Sequence, residues 1–513
     1  MSQQPPYSPY PGAPVSRPAR RRASRRKIRL RRTIFAASAL LLILLLLAGG
    51  GYLYAQYRYH QIHKDNVTGL TAEVPNQPIN ILMIGNNCRT CLNGKQAAAF
   101  GSGSQVGGAR SDVTMILHLD PAKHTASEVS IPRDSFVPIP GTDLANRVDD
   151  ALNKGPSELV KTIEDDYGIP INHFVSLNFD TFQAVVNSLG GVRMYFPDPV
   201  KDAYSGLNVP NAGCHFLNGT QALQVVRARH MYYYTGGRWV YDPTGDISRI
   251  HRDQEFLKVL AASIRPKLHN PLTVNSLLGA IAPDLQIDQG FSLHELLSLA
   301  LDYRSVNPST IPTTTLPVFE VPGSFTYDGN PGYGSVVFPT SPADFTVLRQ
   351  QLGLPTPAIA KGTTVSVLNG SGISNQAAQI GNALTQLGEN VVNVGNATSS
   401  ASPASETVVY YAPGEQTQAE ALVGHLTGNA IMGELSLPAG TDLEVVTGTY
   451  LSVTPPASPA PGSSASSAPP SSSSPSSSSS GQVPPQDVTR ATEALPSYDP
   501  RGCPAGMPVT PIS

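Results

Sequence analysis

The chain has 513 residues, with 35 Lys/Arg against 37 Asp/Glu and a net charge of −2. That balance conceals two unlike parts: residues 1–32 hold ten Lys/Arg and no Asp/Glu, leaving 25 Lys/Arg against 37 Asp/Glu, or −12, for everything after them. An acidic bulk excludes nucleic acid as a partner and confines any anion site to a local basic cluster.

Residues 1–32 read as a basic, disordered cytoplasmic tail, its first 19 residues rich in Pro, Tyr and Ser. Residues 33–54 (TIFAASALLLILLLLAGGGYLY) carry no charge and have the length of about 20 residues that a transmembrane helix needs. Tyr52, Tyr54, Tyr57 and Tyr59 follow as interfacial aromatics. The basic block directly before this span places the N-terminus in the cytoplasm and the rest of the chain outside. A cleaved signal peptide is the rival reading. Its n-region would be too long, its apolar run exceeds a usual h-region, and no clean A-x-A site follows. The expectation is a single-pass signal-anchor in the cell membrane, with the lipid bilayer as a partner.

Residues 55–78 read as a stalk, and 79–354 are long enough for one large domain. Apolar runs at 79–84 (INILMI), 113–119 (VTMILHL), 126–131, 174–177 and 192–196 predict strands. Helical patterns cover 156–167, 180–189, 219–226, 247–264 and 292–303. Such alternation argues for an α/β sandwich around a central sheet. The apolar stretches 277–281 and 296–301 are either core or a groove for a lipid tail. Residues 355–361 read as a linker, and 362–453 follow a βαββαβ-like order that predicts a small α+β domain. From 454 to 513 the chain is dominated by Ser, Pro and Ala, which cannot bury a core, and a disordered tail is expected.

Cys88, Cys91, Cys214 and Cys503 all fall on the exported side, where disulfides persist. Four cysteines allow three full pairings. Cys88 and Cys91 can close on each other, or one of them can reach Cys214. A zinc site would need a second close ligand pair, and none is evident.

Five segments concentrate Arg and Asp at the ends of predicted elements: GNNCR (85–89), ARSD (109–112), IPRD (131–134), RARH (227–230) and DISRIHRDQ (246–254). Ligands of open α/β sheets bind where strands end. Arg227 and Arg229 can serve one phosphate only if the chain is extended there, because residues two apart share a face on a strand and not on a helix. Arg249 and Arg252 are three apart and share a helix face. Arginine suits the task because its planar fork donates bidentate bonds to phosphate and stays charged. Each segment also has a local reading: Arg252 with Glu255, Asp246 as a helix cap, Arg133 with Asp134 as a turn pair. Asp112 stands beside Arg110, and a carboxylate among phosphate-binding arginines calls for Mg2+ (or Mn2+). The sequence contains no H-E-x-x-H, Walker loop or Rossmann fingerprint, and no Ser-His-Asp triad is apparent.

The run NILMIGNNCR, ARSDVTMILHL, ASEVSIPRDSFVPIPG, NRVDDALNKG, NGTQALQVVRARH and DISRIHRDQ, in this order over about 79–265, closely resembles the LytR–CpsA–Psr family. Residues 362–448, with VLNGSG near the start and VVTG at the end, resemble the LytR C-terminal domain. The resemblance implies an α/β/α sandwich around a central mixed sheet. It also implies an enzyme that moves a polyprenyl-pyrophosphate-linked glycopolymer onto peptidoglycan by phosphotransfer, with Mg2+, outside the membrane. By motif, Arg110, Arg133, Arg227, Arg229 and Arg249 would hold the pyrophosphate, with Arg252 a further candidate. Asp112 and Asn87 would hold the metal, and Arg110, Asp112, Arg133 and Asp134 would carry catalysis, Asp112 or Asp134 taking the acceptor proton. The sequence departs from the family pattern at Asn87, where an Asp is usual, and at Asp253, where a Gln is usual. Hydrolysis by a polyprenyl-pyrophosphate pyrophosphatase would use the same site. A non-catalytic lipid- or wall-binding scaffold is the alternative that the two departures motivate.

Overall fold

The computed structural model describes residues 49–88, 109–242, 245–267, 270–283, 285–327, 330–358, 360, 362–398, 406–453 and 497–512. Residues 1–60 and 61–513 form separate compact units. The described part of the first is a helix over residues 49–59. Most of the expected span, residues 33–48, lies outside the described residues. Among those described, no helix is long and apolar enough to cross a membrane.

The principal elements of the second unit begin with β1 (His63–Asp65), β2 (Ile79–Cys88), β3 (Ala109–Asp120), β4 (Thr125–Ile131), β5 (Phe136–Pro138) and β6 (Ala145–Arg147). Then come α1 (Pro156–Tyr167), β7 (His173–Asn178), α2 (Phe179–Ser188), β8 (Val192–Phe196), β9 (Gly213–Leu217), α3 (Gly219–Arg227), α4 (Gly245–Ile264) and α5 (Pro271–Ile281). They continue with β10 (Gln286–Asp288), α6 (Leu293–Asp302), β11 (Thr313–Thr315), β12 (Val318–Tyr327) and β13 (Asn330–Pro339). The central sheet is mixed, with strand order β1-β10-β7-β2-β3-β4-β11. β3 is antiparallel to β2 and β4, while β7 is parallel to β2. One sheet edge therefore collects the carboxyl ends of β2, β4 and β7 and the start of β3.

Leu82, Ile84, Ile116, Val129 and Ile131 pack from the sheet against Leu159, Val160 and Ile163 of α1. α1 starts at Pro156, where a missing N–H costs nothing, and stops at Gly168, whose φ of 66° suits glycine. α3 opens with a capping box: Gln221 N donates to Asn218 Oδ1 at 3.0 Å and Asn218 N to Gln221 Oε1 at 3.1 Å. Of the two apolar stretches, Leu277 packs with Val185 and Leu189, whereas Leu278, Leu297 and Leu301 are exposed.

The C-terminal module comprises β14 (Thr364–Asn369), α7 (Gln376–Leu387), β15 (Asn390–Asn396), β16 (Thr407–Tyr411), α8 (Gln416–Val423), β17 (Ala430–Glu434) and β18 (Leu443–Thr447). Its sheet order is β15-β14-β18-β16-β17. β17 adds a strand to the expected order. It brings Ile431 into the same apolar cluster as Leu159 and Ile163, so the module shares a core with the large domain.

The end of the chain corrects the expectation of a wholly disordered tail. Residues 497–512 return to the large domain as β19 (Arg501–Gly502), antiparallel to β8, and β20 (Val509–Pro511), parallel to β9. Cys503 is bonded to Cys214. Asp499, fully buried, accepts from Arg252 at 3.2 Å and from the Tyr233 hydroxyl. Composition could not signal these anchors, because each is a single residue meeting a partner remote in sequence.

Among the described residues, Asp499→Ala would leave the buried Arg252 with only Asp242, 3.5 Å away, as its anionic partner. Denaturant unfolding should then show a loss of about 3–5 kcal/mol. The double change Arg252→Met with Asp499→Leu should lose much less. An unchanged unfolding midpoint for Asp499→Ala would show that the tail does not support this helix.

Candidate active site

The sheet edge just described carries the cleft. β2 and β3 lose register between Gly85 and Asn86: Gly85 faces Val113 and Asn86 faces Ser111, so Asp112 is extruded as a β-bulge. Bulges re-aim side chains beside active sites. Here the bulge sets the Asp112 carboxylate 2.6 Å from Arg133 Nη1, and the Asp112 carbonyl accepts from Arg249 Nη2 at 3.1 Å. Arg133 follows the end of β4, where Pro132 cannot extend the ladder. Its Nε donates to Asp134 at 3.2 Å. Asp134 also faces Arg147 at 3.4 Å and Arg229 at 3.5 Å.

Five sequence-predicted residues thus converge: Asp112, Arg133, Asp134, Arg229 and Arg249. Arg147 completes the group and was missed as a site residue. Its signal lay in NRVDD, where nothing nearby in sequence marked it as facing Asp134. Asp253 is buried and lines the same small cavity as Asp112, Arg133 and Arg249. Four guanidiniums against Asp112, Asp134 and Asp253 leave one excess positive charge.

The other candidates are placed differently. Arg227 is the last residue of α3, not part of an extended segment, and its guanidinium lies 4.9 Å from the Phe179 ring, just past the end of β7. The chain becomes extended at Ala228, and Arg229 is held there as its N–H donates to Asp202 at 2.8 Å. Arg110 and Asn87 are backbone partners across β2 and β3; their side chains lie outside those described. Arg252 does not join the cleft. It is fully buried, donating to Ala228 O at 2.6 Å and to Asp499. Nor does it pair with Glu255, whose carboxylate accepts from Gly502 N at 3.1 Å. Long side chains on the same helix stripe diverged because the sheet edge receives one and the returning tail the other.

The LytR_cpsA_psr family model matches residues 51–333. The chain belongs to the LytR–CpsA–Psr family. A second model, described as LytR cell envelope-related transcriptional attenuator, matches residues 362–450. The chain is similar to two proteins of Corynebacterium glutamicum. One is the probable cell wall biosynthesis protein LcpB, at 26% identity over 51% of this chain and 61% of that protein. The other is the cell wall biosynthesis protein LcpA, at 25% identity over 75% of this chain and 79% of that protein. It is also similar to the polyisoprenyl-teichoic acid–peptidoglycan teichoic acid transferase TagU of Enterococcus faecalis, at 28% identity over 40% of this chain and 63% of that protein. Among solved structures it resembles the LytR-Csp2A-Psr enzyme from Actinomyces oris, with 25% identity, 50% of this chain and 87% of that chain covered, and a TM-score of 0.42.

Behind the cleft of this family member, Gln254 Nε2 donates to Ser130 Oγ at 3.0 Å, and Ser130 Oγ donates to Glu128 at 2.6 Å. Burial pushes the Glu128 carboxyl up from its ordinary 4.5 to about 8. The folded chain therefore keeps a proton that the unfolded chain has released. Its stabilising effect is complete below about pH 4.5 and fades as pH rises to about 8. Glu128→Gln should flatten that part of the stability–pH curve, read from unfolding midpoints between pH 5 and 8. An unaltered slope would mean that Glu128 is not the group responsible.

Proposed function

We propose that the chain transfers a glycopolymer from a polyprenyl-pyrophosphate carrier to peptidoglycan on the outer face of the cell membrane. The observation that carries this reading is the convergence of Arg133, Arg147, Arg229 and Arg249 around Asp112 and Asp134. Clustered guanidiniums fit a pyrophosphate, and the transferase named among the relatives acts between a polyisoprenyl-linked polymer and peptidoglycan. The basic block and the apolar run over 33–54 support an anchor that keeps the domain beside the carrier's bilayer.

In the proposed step an acceptor hydroxyl oxygen bonds to the sugar-linked phosphorus. The bond from that phosphorus to the bridging oxygen breaks, and polyprenyl phosphate leaves. The arginines hold the two phosphates and offset the charge gathering on the leaving group, the main work in phosphoryl transfer. Asp112, extruded by the bulge, offers the hard oxygen donors that Mg2+ (or Mn2+) takes, and Asn87 would join it as a carbonyl donor. Such an ion would add positive charge at the pyrophosphate oxygens. That division leaves Asp134 to accept the hydroxyl proton.

Arg133→Ala and Arg249→Ala should each lower polymer attachment roughly 10²–10³-fold, with Arg147→Ala similarly impaired. The measurement is polymer covalently bound to purified walls of cells carrying only the variant. Wild-type attachment by Arg133→Ala would sink the assignment. Chelation by EDTA should abolish transfer by purified protein, and added Mg2+ or Mn2+ should restore it. Activity indifferent to EDTA would remove the metal from the scheme.

A further inference from the structure

A second cleft, of about 680 Å³, lies between the large domain and the C-terminal module. Its floor on one side is aromatic. Phe325 and Tyr327 of β12 stack edge-on against Phe136 at 4.9 and 5.1 Å. On the other side lie Asn369 at the end of β14, Asn375 before α7 and Asn396 at the end of β15. β14, β15 and β18 are parallel, so this is the edge where α/β modules receive ligands. The glycine-rich turn after β14 is held by Asn369, whose Oδ1 accepts from Ser371 N at 3.2 Å and whose Nδ2 donates to Ile373 O at 2.8 Å. Gly372 turns with φ 72°, and it lines the cleft with Gly370 and Ser374.

The lining decides the ligand's charge. Among the described residues that line it, Asp143, Glu406 and Glu444 are acidic and none is Lys or Arg. A phosphate or a polyanionic polymer would find no cationic side chain there to offset its charge. Glu406 is 5% exposed, and its buried Oε1 has no hydrogen-bond partner among the described residues. Leaving such an atom unpaired is costly, so it awaits a donor. Burial also raises the Glu406 carboxyl well above the usual carboxylate range, which favours a neutral ligand over a cation. Aromatic residues on one side and amide, hydroxyl and carboxyl residues on the other match a sugar, which has apolar C–H faces and a rim that both donates and accepts.

We propose that this cleft binds an uncharged saccharide, and that it holds a stretch of glycan strand as the acceptor for the transfer proposed above. The second clause rests on that reading; the first does not. The two sites adjoin at the β5–β6 hairpin, where Phe136 of one pairs with Arg147 of the other. Asp134 of the arginine cleft stands two residues before Phe136, and Arg147 of that cleft ends β6, whose Ala145 lines the saccharide cleft. A strand lying on Tyr327 and Asn396 would thus pass close to Asp134.

The test uses the full-length protein in detergent micelles, titrated calorimetrically with the tetramer of N-acetylglucosamine and, separately, with tripolyphosphate. The sugar should bind, and Tyr327→Ala and Asn396→Ala should each weaken it roughly tenfold. Asn396 is exposed, so its variant tests the site without threatening the fold. Arg133→Ala should leave sugar binding intact while weakening tripolyphosphate. Three outcomes would overturn the saccharide site: no sugar binding, sugar binding indifferent to both variants, or competition between tripolyphosphate and the sugar. In a transfer assay Asn396→Ala should raise the acceptor KM with little change in kcat. An unchanged KM would sink the acceptor role alone. Wild-type transfer by Arg133→Ala, with sugar binding intact, would sink the proposed function and leave the saccharide site standing.

Discussion

Guanidinium groups repel one another, and this cleft holds four of them at a single sheet edge. The arrangement stands because Asp134 faces Arg133, Arg147 and Arg229 at once, while Asp112 serves Arg133 with its carboxylate and Arg249 with its carbonyl. The carboxylates fix the long side chains in place before any ligand arrives. Ordering an arginine costs roughly 0.5–1.5 kcal/mol when binding must do it, so a preset cluster conserves that energy for the ligand. The same carboxylates keep the site nearly neutral.

α4 transmits this constraint through the molecule. One side of the helix delivers Arg249 to the bulge, and Gln254 ties it to Ser130 on β4. The next turn of the same stripe sends Arg252 into a buried space closed by Asp242 and Asp499. A buried charge of this kind is a poor source of net stability, yet removing its partner is costly. The last sixteen described residues, 497–512, supply the closing carboxylate and are fastened by Cys503. The position of Arg249 therefore depends on a segment some 250 residues further along the chain.

Much of this was legible in the sequence where the signal is local. Alternating strands and helices over 79–303 and the five Arg/Asp segments rest on periodicity and on residue type, and both survive without tertiary context. What escaped was non-local. The hairpin of β12 and β13 carries a Gly- and Pro-rich sequence, VPGSFTYDGNPGYG, that reads as loop. Its aromatic residues make it a hairpin by packing on Phe136, with Tyr333 5.2 Å away, and packing outweighs strand propensity. Arg147 escaped because Asp134 lies thirteen residues earlier. Arg252 was misplaced because the helix stripe it shares with Arg249 predicts a common direction at the backbone, while the partners that draw each side chain belong to different elements.

The two departures from the family pattern differ in physical weight. A carboxylate at position 253 would oppose a polyanion if it faced the ligand alone. Asp253 instead lies buried, lining a small cavity together with Arg133 and Arg249. Its charge is then part of the balance that lets the arginines sit together, much as Asp134 is, and a neutral glutamine there would leave the cluster more positive. Asn87 has the opposite effect, removing a negative charge from the strand beside Asp112.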